Sequence, residues 1–77
     1  MMEYDARVDA TKYPPKEKHP VIFKTFDGLA SGQTMELTND HDPRPLYYQF
    51  AIEREGAFDW KYLEEGPETW RVAIAKR

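Results

Sequence analysis

One stretch of the chain passes from strand to turn to helix: Thr34-Met35-Glu36-Leu37-Thr38-Asn39-Asp40-His41-Asp42-Pro43-Arg44-Pro45-Leu46. Apolar residues alternate with polar ones over 34–38, which predicts a strand. The polar residues 39–43 predict a turn in which Asp42 is the N-cap of a helix and Pro43 is its first residue. Helical spacing of apolar residues then predicts a helix over about 44–54.

The same pattern analysis extends toward the N-terminus. Alternation over 6–10 predicts a short first strand. Apolar residues at helical spacing then predict a helix from about Lys16 or Glu17 to Ala30. Because proline lacks the N–H that an interior helical residue donates, Pro20 is predicted to lie in the first turn of this helix.

Two further alternating segments, 57–65 and 69–76, follow the second helix. They predict an antiparallel hairpin with a four-residue loop over 65–68. The element order is therefore β-α-β-α-β-β. Since consecutive right-handed crossovers place both helices on one side of a sheet, the predicted fold class is α+β. It is a two-layer α/β sandwich with a mixed four-stranded sheet, both helices on one face and the other sheet face open.

Charged residues alternate with the inward residues of the predicted strands. They are Arg7, Asp9, Glu36, Asp59, Lys61 and Arg71. We expect them to form cross-strand pairs of mixed sign on the open face. That face is either simply solvated or an interaction face for a partner, with Lys61 and Arg71 as the residues to test.

Length and composition limit the class of protein. The chain has 77 residues, a formal charge of −3 and no cysteine. This length allows one domain, and we expect residues 1–5 to be a loose N-terminus and residues 6–77 to form the domain. The chain lacks the basic face that nucleic acid requires and any apolar run of about 20 residues that would span a membrane. Without a signal-peptide pattern, we expect a cytoplasmic protein.

Four segments carry a resemblance to a known family. They are His19-Pro20-Val21-Ile22-Phe23, Phe26-Asp27-Gly28-Leu29, Asn39-Asp40-His41-Asp42-Pro43-Arg44-Pro45-Leu46 and Trp60-Lys61-Tyr62-Leu63-Glu64-Glu65-Gly66-Pro67. Through them, roughly residues 6–76 resemble the TusA-like (SirA-like) sulfur-carrier fold, and more closely its branch known as domain of unknown function 2249. The resemblance implies a mixed four-stranded sheet under two helices. It also implies an accessory role beside hemerythrin-like or redox proteins, linked to iron or nitrogen-oxide metabolism.

The absence of cysteine separates this chain from the sulfur carriers that it resembles. Those carriers place a cysteine before a proline at the start of the first helix, where the helix N-terminus favours a thiolate or persulfide. Counting back from Gly32 without gaps puts Pro15 at that position. The chain alone therefore cannot carry a persulfide. A role in sulfur trafficking stays open only if a partner supplies the thiol.

Two histidines form the candidate site. His19 lies near the start of the first predicted helix and His41 just before the second, so parallel first and second strands would bring both to one edge of the sheet. With Asp40 and Asp42 beside His41, the two imidazoles predict a ligand-binding or transition-metal site suited to Zn, Fe, Ni or Cu. The alternative is that each histidine is only part of a hydrogen-bonded turn or helix start.

An anion site is the second candidate at the same edge. Lys16, Lys18 and Arg44 lie near the two helix starts, whose positive dipole ends favour anions. Five of the six prolines are also found there. Because proline has no N–H to offer, these segments are better suited to rigid helix starts than to a phosphate cradle.

The remaining motifs argue against catalysis. The sequence contains no thiol, no recognisable triad and no cofactor motif, so we expect no enzyme activity from this chain alone. Tyr47, Tyr48, Trp60 and Trp70 are interpreted as core residues instead of a base-stacking platform. Three functions stay open: an accessory module that binds a metal or small ligand at the histidines, a protein-interaction module without a ligand, and a degenerate sulfur-trafficking protein.

Overall fold

A computed structural model describes residues 4–77. Its elements are β1 (Ala6–Asp9), a 3-10 helix (Ala10–Lys12), α1 (Pro15–Asp27), β2 (Thr34–Asn39), α2 (Arg44–Glu53), β3 (Phe58–Glu65) and β4 (Trp70–Lys76). The predicted α+β order is confirmed. Of the predicted loose N-terminus, residues 1–3 lie outside the described residues. The backbone N–H of Asp5 donates to the carbonyl oxygen of Thr34 at 2.9 Å, which extends the β1–β2 pairing by one residue.

The four strands form one mixed sheet in the order β1-β2-β4-β3. β1 pairs with β2 in parallel, and β4 pairs with both β2 and β3 in the antiparallel sense. β2 and β3, which are connected through α2, are therefore not neighbours in the sheet. β4, the second strand of the hairpin, lies between them. Met35 pairs with Ala6 on one side and Ile74 on the other, so apolar residues run in rows across one face.

Both helices cover that apolar face. Fully buried side chains come from both helices and from the two central strands, β2 and β4: Phe26, Phe50, Ile22, Met35, Leu37, Leu46, Ile74 and Val72. Phe50 of α2 is central, because its ring stacks on Phe23 of α1 with centroids 4.3 Å apart and meets Phe26 edge-on at 5.1 Å. The core is thus one cluster between two helices and a sheet.

α1 differs from its predicted bounds at both ends. It begins at Pro15 and ends at Asp27, with Gly28 as C-cap. Pro15 starts the helix because the fixed φ of proline suits the first position. This earlier start places Pro20 inside the helix and not in its first turn, so the prediction for Pro20 was wrong.

The start of α2 also differs from the prediction. The helix begins at Arg44, and Pro43 occupies the N-cap position without a side-chain cap hydrogen bond. Asp42 was predicted to be that cap. Its carboxylate instead accepts a hydrogen bond from the hydroxyl of Tyr62 on β3 at 2.7 Å. Asp42 thus accepts a hydrogen bond from a distant strand and does not cap the helix. The spacing of residues along the chain does not reveal this contact.

The open sheet face carries the mixed-sign pairs that alternation predicts. Glu36 lies between Arg7 and Arg71, at 3.7 Å and 2.6 Å from their guanidinium nitrogens. Arg71 also approaches Glu64, at 3.8 Å. Asp9 does not join these pairs, because its carboxylate accepts from the backbone N–H of Thr11 and caps the 3-10 helix.

Candidate functional site

The starts of α1 and α2 enclose a groove of about 250 Å³, which we call the histidine groove. It is lined by Pro15, Lys18, His19, Ile22, Asn39, His41, Pro43, Pro45 and Leu46. β2 ends at Asn39, so the groove lies at the carboxyl end of a strand whose parallel neighbour is β1. The expectation that both histidines reach the same edge therefore holds in the structure.

His19 is held by a relay of two hydrogen bonds across the helices. Its Nδ1 lies 2.6 Å from Oε1 of Gln49 on α2, and Nε2 of Gln49 donates to Oε2 of Glu53 at 2.6 Å. Because Glu53 accepts from the amide nitrogen, Gln49 must turn its oxygen toward the imidazole. The neutral His19 ring therefore carries its proton on Nδ1, and its Nε2 is the lone-pair nitrogen.

His41 has the same hydrogen-bonding arrangement with a different partner. Its Nδ1 lies 2.7 Å from Oδ1 of Asp40, and both side chains are exposed. The hydrogen bond from His41 lowers the pKa of the Asp40 carboxyl, and the charge of Lys18 acts in the same direction. Asp40 is thus an ionised acceptor that places the His41 proton on Nδ1. In the neutral ring, Nε2 is again the free lone pair.

The remaining predicted site residues are divided between two places. Lys18 lines the histidine groove together with both histidines, whereas Lys16 is not among the lining residues. Asp42 and Arg44 lie on the other side of the α2 start, where Arg44 lines a separate pocket. Arg44 Nε is 3.5 Å from Oδ2 of Asp42. The predicted anion cluster of three basic residues is therefore not assembled.

The histidine groove offers two imidazoles and no complete set of metal ligands. Within residues 4–77, no three histidine, aspartate or glutamate side chains are placed to hold one metal ion. Asp42 is bound to Tyr62, and Asp40 binds His41. Two imidazole nitrogens can bind a metal only if water or another molecule supplies the remaining ligands.

A second concave site lies between α2 and β3, and we call it the aromatic pocket. It has a volume of about 160 Å³ and is lined by Arg44, Tyr47, Tyr48, Trp60 and Tyr62. Tyr47, Tyr48, Trp60 and Trp70 were predicted to be core residues, and this was wrong for two of them, because Tyr47 is 38% and Tyr48 56% exposed. The sequence carried a signal for Tyr48, since the apolar face predicted for this helix consists of Leu46, Tyr47, Phe50 and Ala51 and does not include it.

Asp42 organises one wall of the aromatic pocket. Its Oδ1 accepts the hydroxyl hydrogen of Tyr62 and its Oδ2 faces Arg44, so one carboxylate positions both side chains. Burial raises the pKa of the Tyr62 hydroxyl, and the hydrogen bond to Asp42 contributes in the same direction. Tyr62 is therefore a neutral donor at physiological pH, with a fixed ring orientation.

Comparison with known proteins finds a family match over nearly the whole chain. Residues 7–76 match the family described as uncharacterized conserved protein (DUF2249). The chain belongs to the DUF2249 family. The match covers both helices, all but the first residue of the sheet, the histidine groove and the aromatic pocket. No curated protein and no solved structure matches the chain significantly. Within residues 4–77, no helix is long and apolar enough to cross a membrane.

Proposed function

We propose that this DUF2249 chain is a non-catalytic binding module whose histidine groove holds a divalent transition metal ion. His19 and His41 supply the two protein ligands through Nε2. Water or a small exogenous ligand completes the coordination. One observation carries the proposal: two imidazoles line one groove, and each donates its Nδ1–H to an oxygen of a neighbouring side chain.

That hydrogen-bonding arrangement is common for histidines that bind metal. A metal-ligating imidazole usually donates its second N–H to a carboxylate or an amide oxygen, which fixes the tautomer and the ring orientation. Asp40 and Gln49 provide one such acceptor each. Transition metals such as Zn²⁺, Ni²⁺ and Cu²⁺ bind neutral imidazole well, whereas Mg²⁺ and Ca²⁺ prefer oxygen ligands. Lys18 in the groove wall favours an anion as the exogenous ligand.

The biological setting follows from the family resemblance. A module with open coordination positions suits an accessory role beside a redox or hemerythrin-like protein, in iron or nitrogen-oxide metabolism. In the cytoplasm, such a module would deliver or sense a small ligand of the metal. Sulfur carriage has less support, because the chain has no thiol to bear a persulfide.

Metal titration followed by NMR tests the proposal. Zn²⁺ added to the protein should shift the ring resonances of both histidines together, with saturation well below millimolar metal. Mg²⁺ should shift neither ring. Binding should weaken from pH 7.5 to pH 5, since imidazole must lose its proton to bind a metal.

Substitutions separate a shared site from two independent rings. His19→Gln and His41→Gln should each abolish submicromolar to micromolar Zn²⁺ binding, because a single imidazole binds weakly. Lys16→Gln is the matched control, since Lys16 lies on α1 outside the groove lining. Zinc shifts that persist at one ring after the other has been replaced would contradict the proposal. So would the absence of any ring shift up to about 1 mM Zn²⁺.

A further inference from the structure

The aromatic pocket combines four aromatic side chains with one arginine and lies outside the histidine groove. We propose that it binds a small zwitterion that carries a quaternary ammonium group and a carboxylate, the chemical class of glycine betaine. The aromatic rings bind the ammonium group, and Arg44 binds the carboxylate. This proposal does not rest on the metal site proposed above.

The aromatic rings meet at steep angles and so form walls. Tyr47 is the common member: its ring centroid is 5.7 Å from that of Tyr48 at 68°, and 5.3 Å from that of Trp60 at 76°. Trp60 in turn meets Tyr62 at 6.2 Å and 75°. Aromatic faces carry partial negative charge, and rings arranged as walls are how proteins bind quaternary ammonium groups.

Three of the four walls are fixed before any ligand arrives. Tyr62 is held by its hydrogen bond to Asp42. Trp60 packs against Phe50 of the core with centroids 6.1 Å apart, and Tyr47 packs against Trp60 and Phe58. Tyr48 is more than half exposed and is the wall free to adjust. Preorganised walls reduce the entropy that binding would cost.

The charge of Arg44 favours a zwitterionic ligand over one that carries only a positive charge. A guanidinium in the pocket wall repels a ligand that carries only positive charge. Its nearest acid, Asp42, is 3.5 Å from Nε, too far for a good hydrogen bond. Arg44 thus keeps donors that a ligand carboxylate can use in a charge-assisted pair. A ligand with both a positive and a negative group therefore fits the pocket: the aromatic rings bind the positive group and Arg44 binds the negative one.

Trp60 provides a reporter inside the pocket wall. Its indole N–H is buried, and the neighbouring group on that side is the hydroxyl of Tyr62. A ligand that contacts Trp60 and Tyr62 should therefore change the environment of this N–H. The cavity volume, equal to roughly five water molecules, suits a compact ligand of this kind.

Three probes of nearly equal shape test the proposal on the intact chain. Glycine betaine carries both charges, choline lacks the carboxylate, and 3,3-dimethylbutanoate replaces the ammonium nitrogen by carbon. Each is titrated while the indole N–H resonances of both tryptophans are followed by NMR. We expect glycine betaine to shift the Trp60 resonance and to bind at least five-fold more tightly than either other probe.

Paired variants assign the two charges of the ligand to the two parts of the pocket. Tyr48→Leu keeps an apolar side chain but removes a π face, and should weaken glycine betaine binding three- to ten-fold. Tyr13→Leu is the matched control, because Tyr13 is also exposed but does not line the pocket. Arg44→Gln should weaken glycine betaine by a similar factor while leaving choline unchanged or tighter.

Several outcomes would overturn the proposal. Equal or tighter binding of 3,3-dimethylbutanoate would show that the pocket recognises apolar shape and not positive charge. Loss of choline binding together with glycine betaine binding in Arg44→Gln would show that Arg44 does not act on the carboxylate. The absence of a Trp60 shift with glycine betaine at tens of millimolar would exclude the site.

Discussion

Single side chains set the chemistry of the histidine groove. Gln49 is part of neither helix start, yet it determines which nitrogen of His19 carries the proton, because its own amide is oriented by Glu53. His41 depends on Asp40 in the same way. In the proposed metal site, Asp40 and Gln49 would thus orient both rings with Nε2 toward the metal without contacting it themselves. Such supporting residues commonly control affinity by one to two orders of magnitude.

Replacing Gln49 tests this relay. Gln49→Met keeps the length of the side chain but removes the acceptor for Nδ1–H of His19. We expect the affinity for Zn²⁺ to fall about ten-fold, and the neutral His19 ring to populate both tautomers, visible in its ¹⁵N chemical shifts. Gln33→Met, a change on the loop before β2, is the control. Unchanged tautomer populations in Gln49→Met would contradict the relay.

Gly66 is a second position at which one residue type is required. Its φ is +62°, and a Cβ added there would lie 2.7 Å from ring atoms of Trp70. Gly32 also has a positive φ, +88°, but an added Cβ would meet nothing within 4 Å. The two glycines share the backbone requirement and differ in the steric one.

Alanine substitutions at Gly32 and Gly66 therefore separate the cost of the left-handed backbone conformation from the cost of the steric contact with Trp70. Gly32→Ala should lower the free energy of unfolding by about 1 kcal/mol, the cost of a left-handed conformation. Gly66→Ala should lower it by about 2–4 kcal/mol, because the Trp70 ring must also move. Urea unfolding of both variants gives the comparison. Equal losses would show that Trp70 moves without cost.

At the scale of elements, the ends of the two helices are joined by an ion pair. Asp27 at the end of α1 accepts from Nε and Nη2 of Arg54, the C-cap of α2, at 2.9 and 2.7 Å. The Arg54 guanidinium also lies over the Phe23 ring, 5.0 Å from its centroid. The hydrogen bond from Arg54 lowers the pKa of the Asp27 carboxyl. This pair fastens the helix layer at the end opposite the histidine groove.

The lowered pKa predicts how stability depends on pH. A carboxyl whose pKa is lower in the folded state stabilises the fold above its unfolded pKa of about 3.9, and the stabilisation is lost as the pH falls through the folded value. Asp27→Asn should thus cost about 0.3–1 kcal/mol at pH 7, since the pair is half-exposed. The difference from the native chain should shrink as the pH falls below about 4 and the Asp27 carboxyl takes up its proton. Urea unfolding at a series of pH values measures it, and a constant difference down to pH 2 would contradict this origin.

At the scale of the whole molecule, the fold depends on one small core. A chain of 77 residues is expected to have a free energy of unfolding of only about 4–11 kcal/mol. Phe50 joins the two helices and the β3 edge, through Phe23, Phe26 and Trp60. The contacts of this one side chain therefore contribute a large part of the free energy of unfolding.

Truncation of that side chain should come close to unfolding the protein. Phe50→Ala should cost about 3–5 kcal/mol, the typical loss for a buried phenylalanine. Ile52→Ala on the same helix is the control, because Ile52 is 80% exposed and should change stability by less than about 0.5 kcal/mol. Circular dichroism during thermal unfolding distinguishes them. A cost below about 2 kcal/mol for Phe50→Ala would show that the core refills the cavity.

Periodic patterns in the sequence predicted the strands and helices of this molecule. They did not predict the partners of individual side chains. Alternation and helical spacing predicted every strand and both α-helices, since burial on one face imposes these periods. The placement of both histidines along one groove followed from parallel β1 and β2. Asp42 was assigned to the wrong partner, because a cap and a long-range acceptor look alike in sequence. The aromatic pocket was missed because the apolar pattern does not show which aromatic residues of α2 and β3 are covered and which line an open cavity; only Tyr48, outside the apolar face of its helix, gave a sign of exposure.

The turn between β2 and α2 gives adjacent residues to two different sites. His41 lines the histidine groove, while Asp42 holds Tyr62 and Arg44 at the aromatic pocket. A shift of this backbone by one ligand would displace the walls seen by the other. Thermodynamic linkage makes such communication symmetric: whatever factor a metal ion imposes on the zwitterion, the zwitterion imposes on the metal ion. The four-residue turn 40–43 would then be the link between the two proposed sites.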